Sequence, residues 1–395
     1  MSYSVKRSAV LNLTSYIYLF IASLATTPTL IRYLGLTNFG TYVLSLGVLA
    51  LVTSVDLGLS RSVVYQLARS NKTVLTKQIL STSLLLHTTL GTLFSLATLI
   101  WFSPYLSFLI FYTFILGHYQ AYHESQGNFG MVNLRAFVIG TTNTLVAAFL
   151  AYLGYGVFGI LISLSASTLF TILVMAMYTP ASITKHLSMP VAKKIIKYGL
   201  KLQVGKLVNS LQAQYPKLIF ASNAVALTVL SLSSSLIAKA AGAVSQLAIA
   251  IFPYSINSQD KSKLRRYYTY SQLSLLALGI IAIYLYSYFG YSILYWWLGD
   301  MELASNLHTF LLTYRYYGLL LVLTPLASTM LDSHNMAGRS SLYALLALVI
   351  ELAVVSLTYS GYGVMSIAYG SVTSLLVMVP VLLITTQKSV SLDDN

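Results

Sequence analysis

The chain has 395 residues, of which 57% are hydrophobic and only 8% are charged, and its mean hydropathy is +0.75. A water-soluble domain carries about 25% charged residues, so this composition excludes a soluble protein and indicates an integral membrane protein. The excess of 23 basic over 9 acidic residues gives a formal net charge of +14, which basic cytoplasmic loops explain without nucleic acid as a partner. The absence of cysteine excludes disulfides and thiolate chemistry.

Apolar segments long enough to cross a bilayer recur along the whole chain. A membrane-spanning helix needs about 20 mostly apolar residues. Twelve such segments lie near residues 9–31, 39–60, 79–101, 104–125, 133–153, 156–179, 203–223, 226–253, 270–293, 306–330, 340–359 and 362–385. We therefore predict an all-α integral membrane protein with about 12 transmembrane helices.

The basic residues are distributed unequally between the two sets of connecting segments. With the amino terminus inside, nearly all Lys and Arg residues outside the spans fall on the inner side, and Arg32 is the exception. Cytoplasmic loops carry an excess of Lys and Arg. This pattern predicts a multi-pass protein of the cell membrane with both termini in the cytoplasm.

A short repeat indicates that the chain has two halves. The stretch "YLGYGVFGI" at Tyr152–Ile160 recurs as "YSGYGVMSI" at Tyr359–Ile367, each at the turn before the last span of a six-helix half. We predict lobes at 1–184 and 203–395, joined by a basic cytoplasmic linker at 185–202 that either contacts anionic membrane lipids or is a solvated connection. Two similar halves with no soluble domain favour a transporter over an enzyme.

Four basic residues lie within predicted spans, and one of them, Lys206, is close to the end of its span. The other three are the candidates for binding. Lys239 is central in "SLSSSLIAKAAGAV", Arg315 is central in "FLLTYRYYGLLLVL", and Lys217 lies in the seventh span. A charge at this depth usually faces a cavity or a partner, although a side chain that reaches the interface or a structural ion pair would also explain it. Because Arg and Lys bind phosphate, we predict that these three residues hold an anionic substrate.

Acidic residues in the spans suggest other roles. Glu351, in "LALVIELAVVS", is predicted to couple transport to a Na⁺ or H⁺ gradient, or else to form a salt bridge with one of the cations. Asp56 and Arg61, in "SVDLGLSRSVV" at the inner end of the second span, are predicted to form an inner gate, or else Asp56 has a structural role at this helix end. No cofactor and no metal site are expected.

Several of these stretches together resemble a known family. The segment Thr27–Arg69 is similar to the amino-terminal signature of polysaccharide flippases, through the residues Pro28, Leu34, Gly35, Phe39, Gly40, Asp56, Leu57, Gly58 and Leu59. "ESQGNFGMVNLRAF", "IAIFPYSI" and "LYWWLG" resemble later segments in the same order. The resemblance implies membership of the multidrug/oligosaccharidyl-lipid/polysaccharide exporter superfamily, with two six-helix lobes around a central cavity.

The resemblance also implies a function. Such flippases move a polyprenyl-(di)phosphate-linked glycan from the inner to the outer leaflet, and glycosyltransferases of the same pathway are expected partners. A multidrug exporter of the same superfamily is one alternative, although such a cavity would be lined mainly by acids and aromatic residues. A membrane glycosyltransferase or glycan polymerase is another, but the outer loops offer only Asp300 and Glu302 as catalytic acids.

Overall fold

The computed structural model describes residues 2–68, 70, 73–180, 186–257, 261–333 and 336–391. Within these ranges the regular structure is entirely helical. The elements are α1 (Ser2–Ser54), α2 (Leu59–Ala68), α3 (Thr73–Trp101), α4 (Pro104–Ser125), α5 (Phe129–Thr141), a π-helical segment (Thr142–Val146), α6 (Ala147–Tyr152), α7 (Gly156–Met177), α8 (Met189–Ile219), α9 (Ala224–Asn257), α10 (Lys261–Leu298), α11 (Met301–Ser333), α12 (Ala337–Tyr362) and α13 (Met365–Ser391).

Nine helices of the described residues are long and apolar enough to cross a membrane. This confirms the prediction of an all-helical, multi-pass membrane protein. Helix α1 counts as one of the nine, but the backbone of Gly35 is not helical, with φ 73° and ψ 162°. Glycine adopts positive φ without a steric penalty, so the chain changes direction inside the predicted turn between the first two spans. Helices α4 and α8 cover two further predicted spans but fall outside the nine.

The chain divides into two compact units. The amino-terminal unit is Thr14–Gln214, and the carboxyl-terminal unit is Tyr215–Asn395 together with Met1–Leu13. Helix α8 passes through the predicted linker from Met189 onward, and the division between the units falls within this helix. Lys185, the first residue of that linker, lies outside the described residues.

The helix that forms the second predicted span ends before the apolar segment of the sequence does. Helix α1 ends at Ser54 rather than near residue 60, and a turn with positive φ at Leu57 (52°) and Gly58 (66°) leads into α2. Helix α8 packs directly on this turn, because a Cβ atom at Gly58 would lie 2.8 Å from the Cα of Gly199. The amide of Gln203 donates a hydrogen bond to the carbonyl of Ser54. Two backbones therefore meet here without side chains between them.

An apolar cluster and an aromatic pair hold this region of the amino-terminal unit together. Tyr65 on α2 stacks on Tyr198 of α8, with ring centroids 4.2 Å apart. The cluster joins α2, α3, α4 and α8 through the buried residues Leu59, Val63, Leu67, Ile79, Leu80, Ala121, Val191 and Ile195. In a membrane, close packing of this kind supplies much of the association between helices.

The π-helical segment has an identifiable partner. Wider turns leave backbone groups without their usual helical bond. The buried hydroxyl of Tyr42 on α1 lies 2.7 Å from Oδ1 of Asn143 and 3.2 Å from its carbonyl oxygen. The hydroxyl of Tyr42 thus donates a hydrogen bond to Asn143 in the π-helical segment.

Candidate functional site

A buried carboxylate of the carboxyl-terminal unit lies where α12 and α13 meet the last turns of α8, which belong to this unit. Glu351 on α12 is 1% exposed. Its Oε1 accepts hydrogen bonds from the hydroxyl of Tyr215 on α8, at 2.9 Å, and from that of Ser371 on α13, at 2.7 Å. Hydrogen bonds to an ionised acceptor are among the stronger ones in proteins. These two donors fix the orientation of the carboxylate.

A glycine allows α13 to approach this site closely. A Cβ atom at Gly370 would lie 2.9 Å from the carbonyl oxygen of Glu351 and 2.7 Å from Cγ2 of Val355. Ordinary van der Waals contact needs about 3.5 Å or more between carbon atoms. The hydroxyl of the next residue, Ser371, therefore reaches the carboxylate because position 370 has no side chain.

Two tyrosines of α11 border the same carboxylate. The rings of Tyr314 and Tyr317 stack with their centroids 4.8 Å apart, and both phenols lie within electrostatic reach of Glu351. Phe310 packs on Tyr314 from the preceding turn, at 5.0 Å. A carboxylate surrounded by hydroxyl oxygens in an apolar interior has the chemistry to hold a proton or a small hard cation.

The side chain of Arg315 extends from α11 toward α10. Its Nη1 donates to Oγ of Ser287 on α10, at 2.6 Å, and its Nη2 lies 3.4 Å from the hydroxyl of Tyr316. The guanidinium also lies over the Tyr316 ring, 5.1 Å from the centroid. Because successive residues of a helix are about 100° apart, Arg315 and Tyr314 project from different faces of α11. The structure therefore does not bring Arg315 to the Glu351 carboxylate.

The two lysines lie on other helices of the same unit. Lys217 is half-buried in the last turn of α8, directly after Pro216, and two residues beyond the tyrosine that binds Glu351. Lys239 is half-buried on α9. Near it, α9 packs closely on α11, where a Cβ atom at Gly318 would be 3.2 Å from the side chain of Ile237. All three predicted substrate-binding cations thus belong to the carboxyl-terminal unit.

Asp56 and Arg61 have different environments in the amino-terminal unit. Asp56 is 6% exposed, and its Oδ1 accepts a hydrogen bond from the backbone N–H of Gly58, at 3.1 Å. Its Oδ2 accepts from the hydroxyl of Ser60, at 3.2 Å. The side chain of Arg61, one residue further along α2, is exposed. Asp56 therefore organises the turn after α1, which explains why an acid follows an apolar helix here.

Tyr215 and Ser371, two hydrogen-bond donors to the Glu351 carboxylate, were not predicted from the sequence. They lie 136 and 20 residues from Glu351 along the chain. The one local signal was the small pair Gly370–Ser371, which is compatible with close helix packing.

Comparison with protein families gives one match. The model of a family described as "Polysaccharide biosynthesis protein" matches residues 29–289 of the chain. No curated protein matches the sequence.

Comparison with solved structures gives matches over nearly the full length. One is an inward-facing conformation of a multidrug resistance MATE family transporter of the MOP superfamily, with a TM-score of 0.80, 16% identity, and coverage of 97% of this chain and 98% of that one. An outward-facing conformation of a transporter described in the same words gives a TM-score of 0.67 at 17% identity, covering 99% and 96%. A MOP superfamily transporter from Pyrococcus furiosus, described as having a binding pocket of reversed polarity that suggests a different function, gives 0.63 at 17%, covering 98% and 96%. At these identities the matches establish the fold.

Proposed function

Since the chain belongs to the polysaccharide biosynthesis protein family, we propose that it moves a polyprenyl-(di)phosphate-linked glycan from the inner to the outer leaflet of the cell membrane by alternating access. In the part of the chain that the structure describes, nine helices are long and apolar enough to cross a membrane. The fold is that of MOP superfamily transporters. Glycosyltransferases of the same pathway would supply the substrate on the cytoplasmic side.

The observation that carries this proposal is the set of cations on the helices of the carboxyl-terminal unit. Lys217, Lys239 and Arg315 are half-buried, and each would bind a phosphate of the lipid carrier. Arg315 Nε is buried and makes no hydrogen bond with the described residues, so this N–H group can donate to an anion only when its surroundings open. A guanidinium presents five N–H donors, of which the α10 contacts use only a part.

The topology and the ion coupling are part of the proposal. We assign about 12 transmembrane helices, in two six-helix lobes at 1–184 and 203–395, with both termini in the cytoplasm. The break at Gly35 supports two separate spans within α1. Glu351 would bind the coupling Na⁺ or H⁺, because it is buried and held by two hydroxyl groups. Asp56 and Arg61 would form the inner gate, at the turn where α1 ends.

Reconstituted transport tests the role of the cations. Proteoliposomes that contain a fluorescent polyprenyl-diphosphate oligosaccharide in one leaflet report its transfer through accessibility to an external quencher. We expect Lys239→Ala and Arg315→Ala to reduce the rate at least tenfold, whereas Lys239→Arg retains most of it. The control is Arg339→Ala, which removes an exposed cation from the first turn of α12. If both alanine variants transfer the lipid at the native rate, Lys239 and Arg315 do not bind the substrate.

A multidrug exporter is the second candidate, because two matching structures come from multidrug transporters. The same proteoliposomes loaded with a cationic dye discriminate between the two functions. A flippase with basic binding residues leaves the dye inside, since like charges repel. Dye efflux that Glu351→Gln abolishes, without any glycan transfer, would favour the exporter.

A further inference from the structure

A chain of polar side chains runs through the interior of the amino-terminal unit. It begins at Asp56 in the turn after α1, continues through Ser60 on α2 to His87 and Ser83 on α3, and ends at His118 on α4. Both histidines are essentially inaccessible, at 1% and 0% exposure. The transport proposal makes no use of His87 or His118.

The contacts of His87 determine which of its nitrogens carries a hydrogen. Its Nδ1 lies 2.9 Å from the carbonyl oxygen of Ser83. A carbonyl can only accept a hydrogen bond, so Nδ1 must carry the hydrogen. In a neutral imidazole the other nitrogen, Nε2, is then an acceptor. Nε2 faces the hydroxyl of Ser60 at 3.4 Å.

Ser60 therefore lies between two acceptors. Its hydroxyl is 3.2 Å from Oδ2 of Asp56 and 3.4 Å from Nε2 of His87. A serine hydroxyl has one hydrogen to donate, so it can serve only one of these groups at a time. If Nε2 of His87 gains a proton, that nitrogen donates to Ser60 while Ser60 donates to Asp56. Both contacts are then hydrogen bonds, and the imidazolium is linked to a carboxylate through one hydroxyl.

We propose that Asp56, Ser60 and His87 form a proton-binding site inside the amino-terminal unit, with His87 as the group that gains the proton. The charges balance, because the protonated imidazole and the ionised carboxylate form a neutral pair. This neutrality matters in a buried interior, where an isolated charge is costly. The proton links the turn after α1 to α3, so its binding strengthens the attachment between these two elements.

The remaining titratable groups nearby limit the site to one proton. His118 is the main neighbour, since its Nδ1 lies 2.9 Å from the hydroxyl of Ser83 and its ring centroid lies 6.1 Å from that of His87. A second positive charge at this distance would be repelled in a low-dielectric interior. The other titratable groups on α2, α4 and α8 include the exposed Arg61, Lys193, Lys194 and Lys197, the stacked pair Tyr65 and Tyr198, and Tyr119, Tyr122, His123 and Glu124.

Close packing by α4 keeps the Ser60 hydroxyl and the His87 imidazole together. A Cβ atom at Gly117 would lie 3.2 Å from Oγ of Ser60 and 3.5 Å from Nε2 of His87. The missing side chain at this position lets the α4 backbone cover the contact. Both groups are thereby held within reach of a single shared hydrogen.

Nitrogen-15 NMR of the full-length protein in lipid bilayers tests the proposal directly. The chain has 6 histidines, and the His87→Asn variant assigns the signals of His87. We expect its Nε2 to change from the unprotonated to the imidazolium shift as the pH falls from 8 to 5. Asp56→Asn and Ser60→Ala should each reduce the ratio of protonated to neutral His87 at pH 6 by tenfold or more.

A matched control separates this effect from loss of structure. Ser95→Ala removes another hydroxyl from α3, one that donates to the carbonyl of Ser107 at 2.9 Å, and should leave the His87 titration unchanged. If His87 stays neutral down to pH 5, the proposal is wrong. It is also wrong if either Asp56→Asn or Ser60→Ala leaves the protonation of His87 at the level found in the native protein. Because no substrate is present, the outcome does not depend on whether the protein transports glycans.

Discussion

The backbone contact between the turn after α1 and α8 should make Gly199 intolerant of any side chain. A Cβ atom at this position would lie 3.0 Å from both the carbonyl carbon and the carbonyl oxygen of Gly58, and closer still to the carbonyl oxygen of Leu57. All of these are backbone atoms, which cannot rotate away. Gly199→Ala must therefore push α8 away from the turn.

The cost of this displacement follows from what surrounds the contact. Overpacking costs about 1–3 kcal/mol. A separation of α8 also weakens the hydrogen bond from Gln203 to Ser54 and the stacking of Tyr65 on Tyr198, each about 1 kcal/mol. Alanine recovers about 1 kcal/mol through its higher helix propensity. The net destabilisation is about 3 kcal/mol, which lowers the melting temperature by roughly 6–12 °C for a unit of this size.

Thermal melting of the purified protein in detergent measures this effect, with the intrinsic fluorescence of the 3 tryptophans as the signal. Gly361→Ala on α12 is the matched control, because a Cβ atom there meets nothing within 4 Å. The control should melt at or slightly above the native temperature. If Gly199→Ala melts with the native protein, the two backbones are not in rigid contact, and the reasoning fails.

Three further substitutions test other contacts by the same melting assay. Tyr42→Phe removes the hydroxyl that binds Asn143 in the π-helical segment and should destabilise the protein by about 1–3 kcal/mol. Tyr215→Phe removes a donor to the Glu351 carboxylate, with an expected cost of about 1.5–3 kcal/mol. Gly370→Ala places a Cβ atom 2.9 Å from the Glu351 carbonyl oxygen and should cost about 1–3 kcal/mol.

The controls for these variants are surface positions. Tyr270→Phe changes a phenol that is 60% exposed and should leave the melting temperature unchanged. Gly361→Ala again serves as the control for Gly370→Ala. Native-like melting of Tyr42→Phe or Tyr215→Phe would mean that the hydroxyl contact is not formed. For Gly370→Ala, the same result would mean that α12 and α13 are not in close contact.

Local features of the fold were predictable from sequence because they depend on neighbouring residues. Runs of apolar residues located the long helices, and the "YLGLTNFG" stretch predicted the turn at which Gly35 breaks α1. The end of α1 was placed too late, because length and hydropathy do not report the positive φ values at Leu57 and Gly58. The contact partner of that turn, Gly199, lies far along the chain and has no signal of its own.

The candidate site was less predictable, because it depends on side-chain direction. Glu351 was recognised as an acid among apolar residues, but its partner Tyr215 is 136 residues away. The direction of Arg315 could not be predicted, since the polar and apolar residues of α11 are spread evenly around the helix and form no polar face. Only the packing of α10 shows that the guanidinium meets Ser287.

The central claim is that basic residues of the carboxyl-terminal unit bind the phosphate of a lipid-linked glycan during its transfer between leaflets. Comparing two fluorescent lipids in the same proteoliposomes tests this claim most directly, one with a diphosphate between polyprenol and oligosaccharide and one with a neutral linkage. We predict transfer of the diphosphate lipid well above the rate in protein-free liposomes, and at least tenfold faster than that of the neutral lipid. Equal rates for the two lipids, or no transfer above protein-free liposomes, would contradict the claim.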